Sequence, residues 1–224
     1  MTSFPTPFVR RRLLAWFGKN ARDYPWRRTG NWFHLLMAEM MLRRTKADQV
    51  EPVYRKFTEA FPTAASCAAV PRRSIKKLLA PLGLKWRAAH MLETIDHLRD
   101  HYALRAPSQA DNLRPIPGVG EYANSMLRNR LFGEPLPALD SNMARLICRV
   151  SGLNFGPESR RNRVVKEIAG ELVRTARSAD LNLAVLDFSA LVCKPRSPLC
   201  GQCPLVSKCQ YAAVSGKVHA SRER

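Results

Sequence analysis

Four cysteines fall close together near the C-terminus, Cys193, Cys200, Cys203 and Cys209, in the spacing C-x6-C-x2-C-x5-C. No secretory signal is evident, because Arg10-Arg11-Arg12 is followed by only Leu13–Phe17 before Gly18 and Lys19. In such a chain disulfides are disfavoured, and a cysteine cluster points to a metal. Zinc ribbons and knuckles usually carry two short C-x2-4-C pairs separated by a longer loop. Here there is one C-x2-C pair with unequal flanking spacers. Four thiolates on one compact loop suit a [4Fe–4S] cluster, with zinc as the alternative and coincidental reduced thiols as the third reading. Cys67 and Cys148 lie in helical, apolar contexts and read as small core residues.

Around this loop the periodicity is helical. Ala88, Met91, Ile95, Leu98 and Tyr102 recur at spacings of three and four, as do Val164, Val165, Ile168, Ala169, Leu172, Val173 and Ala176. Prolines such as Pro5, Pro25, Pro52, Pro62, Pro71, Pro81, Pro107, Pro115 and Pro117 sit where helices are expected to start or stop. The pattern predicts an all-α protein of about ten helices with short connections. The polar, basic end Ser215–Arg224 is expected to fray.

A chain of 224 residues suffices for one large domain or two small ones. Its 37 Lys and Arg against 18 Asp and Glu give a formal charge of +19. That surplus repels itself and implies a polyanionic partner, nucleic acid before acidic membrane. A hydrophobic fraction of 46% excludes a disordered basic tail. The apolar runs Leu35–Leu42 and Leu181–Cys193 are short or broken by Glu39, Asn182 and Asp187, well under the ~20 residues a spanning helix needs.

A second motif stands apart from the cysteines. Leu113–Ala123 reads LRPIPGVGEYA. Pro117 ends one helix, Gly118-Val119-Gly120 makes a tight turn, and Glu121 starts the next helix. Paired glycines let a backbone approach closely and turn N–H groups outward at a helix N-terminus, which suits a phosphate. Alone, the string is equally an ordinary helix–helix turn.

Together the two motifs resemble the helix-hairpin-helix DNA glycosylases of the endonuclease III and MutY branch. The resemblance extends through Tyr24-Pro25-Trp26-Arg27, Glu39–Thr45 (EMMLRRT), Leu82-Gly83-Leu84 and Leu139-Asp140-Ser141-Asn142. It implies a six-helix barrel domain over residues 30–137, with the helix-hairpin-helix at 110–131. That domain is inserted in a [4Fe–4S] cluster domain made of 1–29 plus 138–224, and the active site lies in the cleft between them. The implied ligands are Cys193, Cys200, Cys203 and Cys209. Implied DNA contacts are Gly118, Val119 and Gly120 at the hairpin, where a monovalent cation is a further expectation. Arg43 and Arg44 are expected to fill or probe the vacated duplex and Leu84 to act as a wedge, and Lys194 and Arg196 are the pair expected to meet phosphates.

Asp140 is, on local sequence, a helix N-cap ahead of Ser141–Val150. The resemblance makes it the catalytic carboxylate, because breaking an N-glycosidic bond builds positive charge on the sugar that an anion stabilises. Asn142 is then expected to position the same site. At position 122 bifunctional relatives carry a lysine whose amine attacks C1′. This chain has Tyr122 and no Lys from Pro117 to Pro137, so a monofunctional enzyme is expected. Glu39 is costly in its apolar run. The resemblance points it into the base pocket, and a salt bridge to Arg43 is the structural alternative.

MLRRT, a Tyr after GVGE, LDFSALVC and a chain ending fifteen residues after Cys209 look most similar to the thymine-DNA mismatch glycosylases of the Mig type. The expected substrate is thymine or uracil opposite guanine in double-stranded DNA with a mismatched or damaged base. A MutY-type adenine glycosylase acting on A:8-oxoguanine or A:G is the alternative, and a non-catalytic mismatch sensor is the third. The expected setting is a monomer in a prokaryotic cytoplasm, at the nucleoid, with no membrane.

Overall fold

The computed structural model describes residues 4–83, 85–108 and 113–215, with the side chains of Lys85 and Arg87 outside that description. Among the described residues there are eleven α-helices, short 3-10 turns and no strand. The chain divides into two compact units, Met1–Arg22 with Gly133–Arg224, and Asp23–Phe132.

The continuous unit holds six helices: α2 (Trp32–Met41), α3 (Ala47–Ala60), α4 (Ala64–Ala68), α5 (Arg72–Leu79), α6 (Lys85–Tyr102) and α7 (Glu121–Phe132). Their starts are written locally. The Asn31 side chain accepts from the N–H groups of Phe33 and His34, and Thr63 with Ser66 forms a reciprocal capping box for α4. The core is aromatic and rich in methionine: Phe33, Phe57, Met37, Met40, Met41 and Met91 are fully buried. Pro52 departs from expectation, since it lies inside α3 rather than at its edge. Val50, Val53, Tyr54 and Phe57 bury one face of that helix, and this tertiary anchorage outweighs the hydrogen bond proline forfeits.

The discontinuous unit is built from α1 (Thr6–Asn20), α8 (Ser141–Ser151), α9 (Arg163–Val173), α10 (Ser178–Leu191) and α11 (Gln210–Val214). Val9, Leu13, Ala144, Ile147, Leu172, Leu181 and Phe188 form its core, with Trp16 edge-on to Phe188 at 5.2 Å. Asp187 is completely buried there. Its carboxylate accepts from Nε of Arg22 at 2.6 Å and from the Arg22 N–H at 2.9 Å, so the charge is paired at both oxygens.

The unit boundaries fall earlier than sequence places them, for identifiable reasons. Tyr24 stacks on Trp26 at 4.7 Å, Trp26 meets Tyr54 edge-on, and the Tyr24 hydroxyl donates to Asp48 at 2.6 Å. These contacts hold 23–29 in the six-helix unit. At the other end, the Asn182 side chain accepts from the Ala138 N–H and donates to the Leu136 carbonyl, both at 3.0 Å. That clamp draws the residues before Ala138 into the unit of α10.

Candidate active site and metal centre

The Asn182 clamp delivers the chain to Asp140 in extended conformation, and α8 starts there. Asp140 Oδ1 accepts from the N–H groups of Asn142 and Met143 at 2.9 Å each, while Oδ2 accepts from Asn142 Nδ2 at 2.6 Å. The residue is therefore a true N-cap, and its carboxylate is held in one orientation. Burial raises its pKa, and the donors from Met143 and Asn142 with the Arg145 charge pull it back. The helix dipole adds to the preference for an anion. Such a group can face a developing cation without reorganising.

Asn142 connects this carboxylate to the cysteine loop. Its Oδ1 accepts from Arg145 Nη2 at 3.1 Å, and Arg145 Nε donates to the Cys193 carbonyl at 3.1 Å. Arg145 is only 4% exposed, sits among buried Met143, Ala144, Leu146 and Ile147, and donates also to the Ser189 carbonyl. One turn later Arg149 donates to the carbonyls of Lys194 at 2.7 Å and Pro195 at 3.0 Å. It lies 3.3 Å from the Cys193 sulfur and 4.6 Å from the Tyr211 ring centroid. Both arginines were missed at the sequence level. The one available signal was a cation within an otherwise apolar helix face.

The loop itself turns through two 3-10 segments, Cys200–Gln202 and Val206–Lys208. No trio of His, Cys, Asp or Glu among the described residues is closed around a single-ion site. What fits a cluster is the donor set and its mutual influence. The Cys203 thiol is pushed up to about 12, chiefly by burial and in part by negative charge on Cys193, Cys209 and Cys200, against the Leu205 N–H that pulls it down. Cys209 is raised by burial and by charge on Cys193 and Cys200. Four sulfurs that feel one another this way favour a bound cationic core over four free thiolates. Lys194 is half-buried and Arg196 exposed, with Ser197 in the left-handed region at φ 46°. Cys67 and Cys148 are both buried core residues.

In the six-helix unit, Glu39 lies on α2 between buried Ala38 and Met40. Burial pushes its carboxyl up to about 7, and the charge of Arg130 on α7 opposes that rise. The cation that acts on it is thus Arg130, not Arg43 four residues along. A carboxyl near 7 holds or releases a proton at neutral pH. Tyr122 is half-buried in the first turn of α7.

The hairpin turn is fixed from two sides. Gly118 has φ +81°, where an L side chain is strained, and a Cβ there would stand 2.6 Å from Met40 Cε and force that side-chain end to move. The Thr94 hydroxyl, fully buried on α6, is shared between the carbonyls of Pro117 at 2.7 Å and His90 at 2.8 Å. The helix expected before the turn lies partly outside the described residues, as does Leu84. Arg43 and Arg44 separate in role. The Arg43 guanidinium stands over Trp86 at 5.5 Å and donates to the Gly118 carbonyl over 3.4 Å, bracing the turn. Arg44 is exposed, without an ion pair among the described residues, and held at φ 58°.

Asp140, Asn142, Arg145 and the cysteines belong to one unit; Glu39, Tyr122, the hairpin, Arg43 and Arg44 belong to the other. Comparison with known proteins matches this distribution of motifs. Residues 193–209 match the iron-sulfur binding domain of endonuclease III. A thymine-DNA glycosylase of Aeropyrum pernix is 33% identical over 91% of this chain and 93% of its own. A thymine/uracil-DNA glycosylase of Methanothermobacter thermautotrophicus is 30% identical over 89% of this chain and 90% of its own. The structure of a thermostable thymine-DNA glycosylase superposes with a TM-score of 0.87 at 29% identity, covering 93% of this chain and 97% of that one. Residues 37–174 match the HhH-GPD superfamily of base excision DNA repair proteins, and the chain belongs to that superfamily.

Proposed function

We propose that this protein is a monofunctional DNA glycosylase that releases thymine or uracil from opposite guanine in double-stranded DNA. The observation that carries the reaction class is the Asp140 carboxylate, held by three N–H donors at the head of α8. As the sugar loses its base it gains positive charge at C1′. Asp140 stabilises that charge or takes the proton of the attacking water, and Asn142 keeps the carboxylate aligned. Glu39, with its carboxyl near 7, binds the extruded base through its edge. Tyr122 stands where a lysine would serve as nucleophile, and Pro117–Pro137 contains no lysine, so hydrolysis stops at the abasic site.

The thymine and uracil specificity is supported by the two relatives and the superposed structure, which bear those names. Arg44 probes the vacated duplex, Leu84 wedges the stack, and Lys194, Arg196 and the Gly118–Gly120 turn grip phosphates. When bound, the [4Fe–4S] cluster cross-links the loop 193–209 through its four cysteines, and Arg149 and Arg145 hold that loop's carbonyls to α8.

A base-release screen across all mismatched duplexes tests the reading. Thymine and uracil freed from T:G and U:G support it. Adenine freed from A:8-oxoguanine with T:G untouched would replace it with the adenine-glycosylase reading. No release from any duplex would leave only a mismatch sensor.

A further inference from the structure

The start of helix α5 is at odds with its own charges. It opens on Arg72 and Arg73, has no acid in its first turn, and its N-cap, Pro71, supplies no side-chain acceptor. Cations at that end oppose the helix dipole. Arg73, Lys76 and Lys77, three and four residues apart, repel one another across one face, while Ile75 and Leu79 bury the other. Arg72 is paired with Asp96 of α6. Arg73, Lys76 and Lys77 are exposed and have no ion pair among the described residues.

The imbalance extends beyond the helix. From Ala60 to Leu92 the sequence has six Lys and Arg and no Asp or Glu. Around α9, by contrast, cations are paired locally: Arg161 with Glu158, Arg163 with Glu167 and Arg174 with Glu171. Lys76 and Lys77 suit the last turn of the helix, but their mutual repulsion with Arg73 is uncompensated, and a polyanion docked there offsets it.

We propose that the Arg73–Lys77 ridge of α5 is a further phosphate-binding surface for duplex DNA, separate from the hairpin turn and the Lys194–Arg196 loop. The inference rests on the DNA-binding reading above. The exposed side chains of the ridge are Arg73, Ser74, Lys76 and Lys77, with no aromatic group to stack and no amide to read a base edge. Its contacts are therefore to backbone and independent of sequence. Arg73 and Lys77 are separated by about 6 Å of helix rise, close to two base-pair steps of about 3.4 Å on one strand.

The test is the triple variant Arg73→Gln, Lys76→Gln, Lys77→Gln, made in the full, cluster-loaded chain. Its affinity for a long T:G duplex and for the matched duplex is measured across salt concentrations. Loss of three contacts makes the slope of log K against log salt shallower by about 2.7. The gap to wild type then closes about 40-fold between about 50 and about 200 mM salt. Matched and mismatched duplexes respond alike, and base release at saturating enzyme stays at the wild-type rate. Lys76→Gln alone gives about one third of the slope change, so the test does not depend on the triple variant folding. A control removing equal charge around α9, Arg163→Gln, Lys166→Gln, Arg174→Gln, leaves the slope nearly unaltered. An unchanged slope in the α5 variant, or an equal change in the control, overturns the proposal. Failure of the wild-type protein to bind duplex at any salt would instead overturn the DNA-binding reading beneath it.

Discussion

At Asp140 one side chain carries two roles that substitution separates. Asn is as good an N-cap as Asp, whereas Ala is not. Asp140→Asn is therefore expected to melt within a few tenths of a kcal/mol of wild type, and Asp140→Ala about 1 kcal/mol lower. Both should lose base release by about 100-fold or more, because neither offers an anion to the cationic sugar. Thermal melts beside single-turnover base release check this. Equal activity in Asp140→Asn would make the residue a cap and nothing else.

Glu39 ties function and stability to pH. Its carboxyl is raised from 4.5 to about 7 in the fold, so the native state holds a proton there that the unfolded chain has released. Its contribution to stability is complete below about 4.5 and is lost as pH rises through about 7, a change of ~3 kcal/mol at 1.36 kcal/mol per unit. Glu39→Gln removes this dependence. The variant should gain stability relative to wild type as pH rises from 4.5 to 7, read from denaturant melts across that range. Wild-type base release should fall above about pH 7 if the protonated carboxyl serves the base, and the same limb should vanish in the variant. On the acid side, the raised Asp140 pKa makes activity decline as that carboxylate protonates.

At the scale of elements, α8 is the part that joins reaction and cluster loop. Arg145→Met keeps much of the apolar bulk but leaves the Asn142 Oδ1 and the Cys193 and Ser189 carbonyls short of a donor. A loss of about 2–4 kcal/mol is expected from a buried charged donor with several acceptors. Iron content per chain should fall with it, and both are read on the same preparation by melting and metal analysis. A stable, fully loaded variant would show the Arg145 links to be incidental. The short segment after α2 stores strain at Arg44, where a left-handed backbone costs a non-glycine residue about 1–2 kcal/mol. Arg44→Gly should match or exceed wild-type stability while losing preference for mismatched over matched duplex. A gain in stability with discrimination unchanged would deny Arg44 its role.

These elements also show what the sequence could and could not convey. The cysteine loop and the GVG turn are contiguous strings, so spacing singles them out, while their chemistry comes from the family resemblance they carry together. Arg145 acts on Cys193, 48 positions away, and Thr94 holds Pro117 across 23, so both reveal themselves only after packing. Glu39 was legible as an acid in an apolar run, but its neighbouring cation is Arg130 rather than the nearby Arg43. Pro52 reads as a helix stop, yet four buried residues on α3 hold that helix through it. Tyr24 and Trp26 place their segment in the six-helix unit through contacts with Asp48 and Tyr54 that no local pattern encodes.

For the whole molecule, the charge of +19 and the division into a six-helix unit and a cysteine-bearing unit belong together. Among the described residues no helix is long and apolar enough to cross a membrane, and the exposed cations include Arg44, Arg196 and, on α5, Arg73, Lys76 and Lys77. The central claim is that the protein removes a pyrimidine opposite guanine and goes no further. It is tested most directly by incubating an end-labelled T:G duplex with the cluster-loaded protein and resolving the strands before and after alkali, with a parallel borohydride reaction. Strands should stay intact until alkali cleaves the abasic site, and no protein–DNA adduct should be trapped, since trapping requires an imine. Strand cleavage without alkali, together with efficient borohydride trapping, would contradict it.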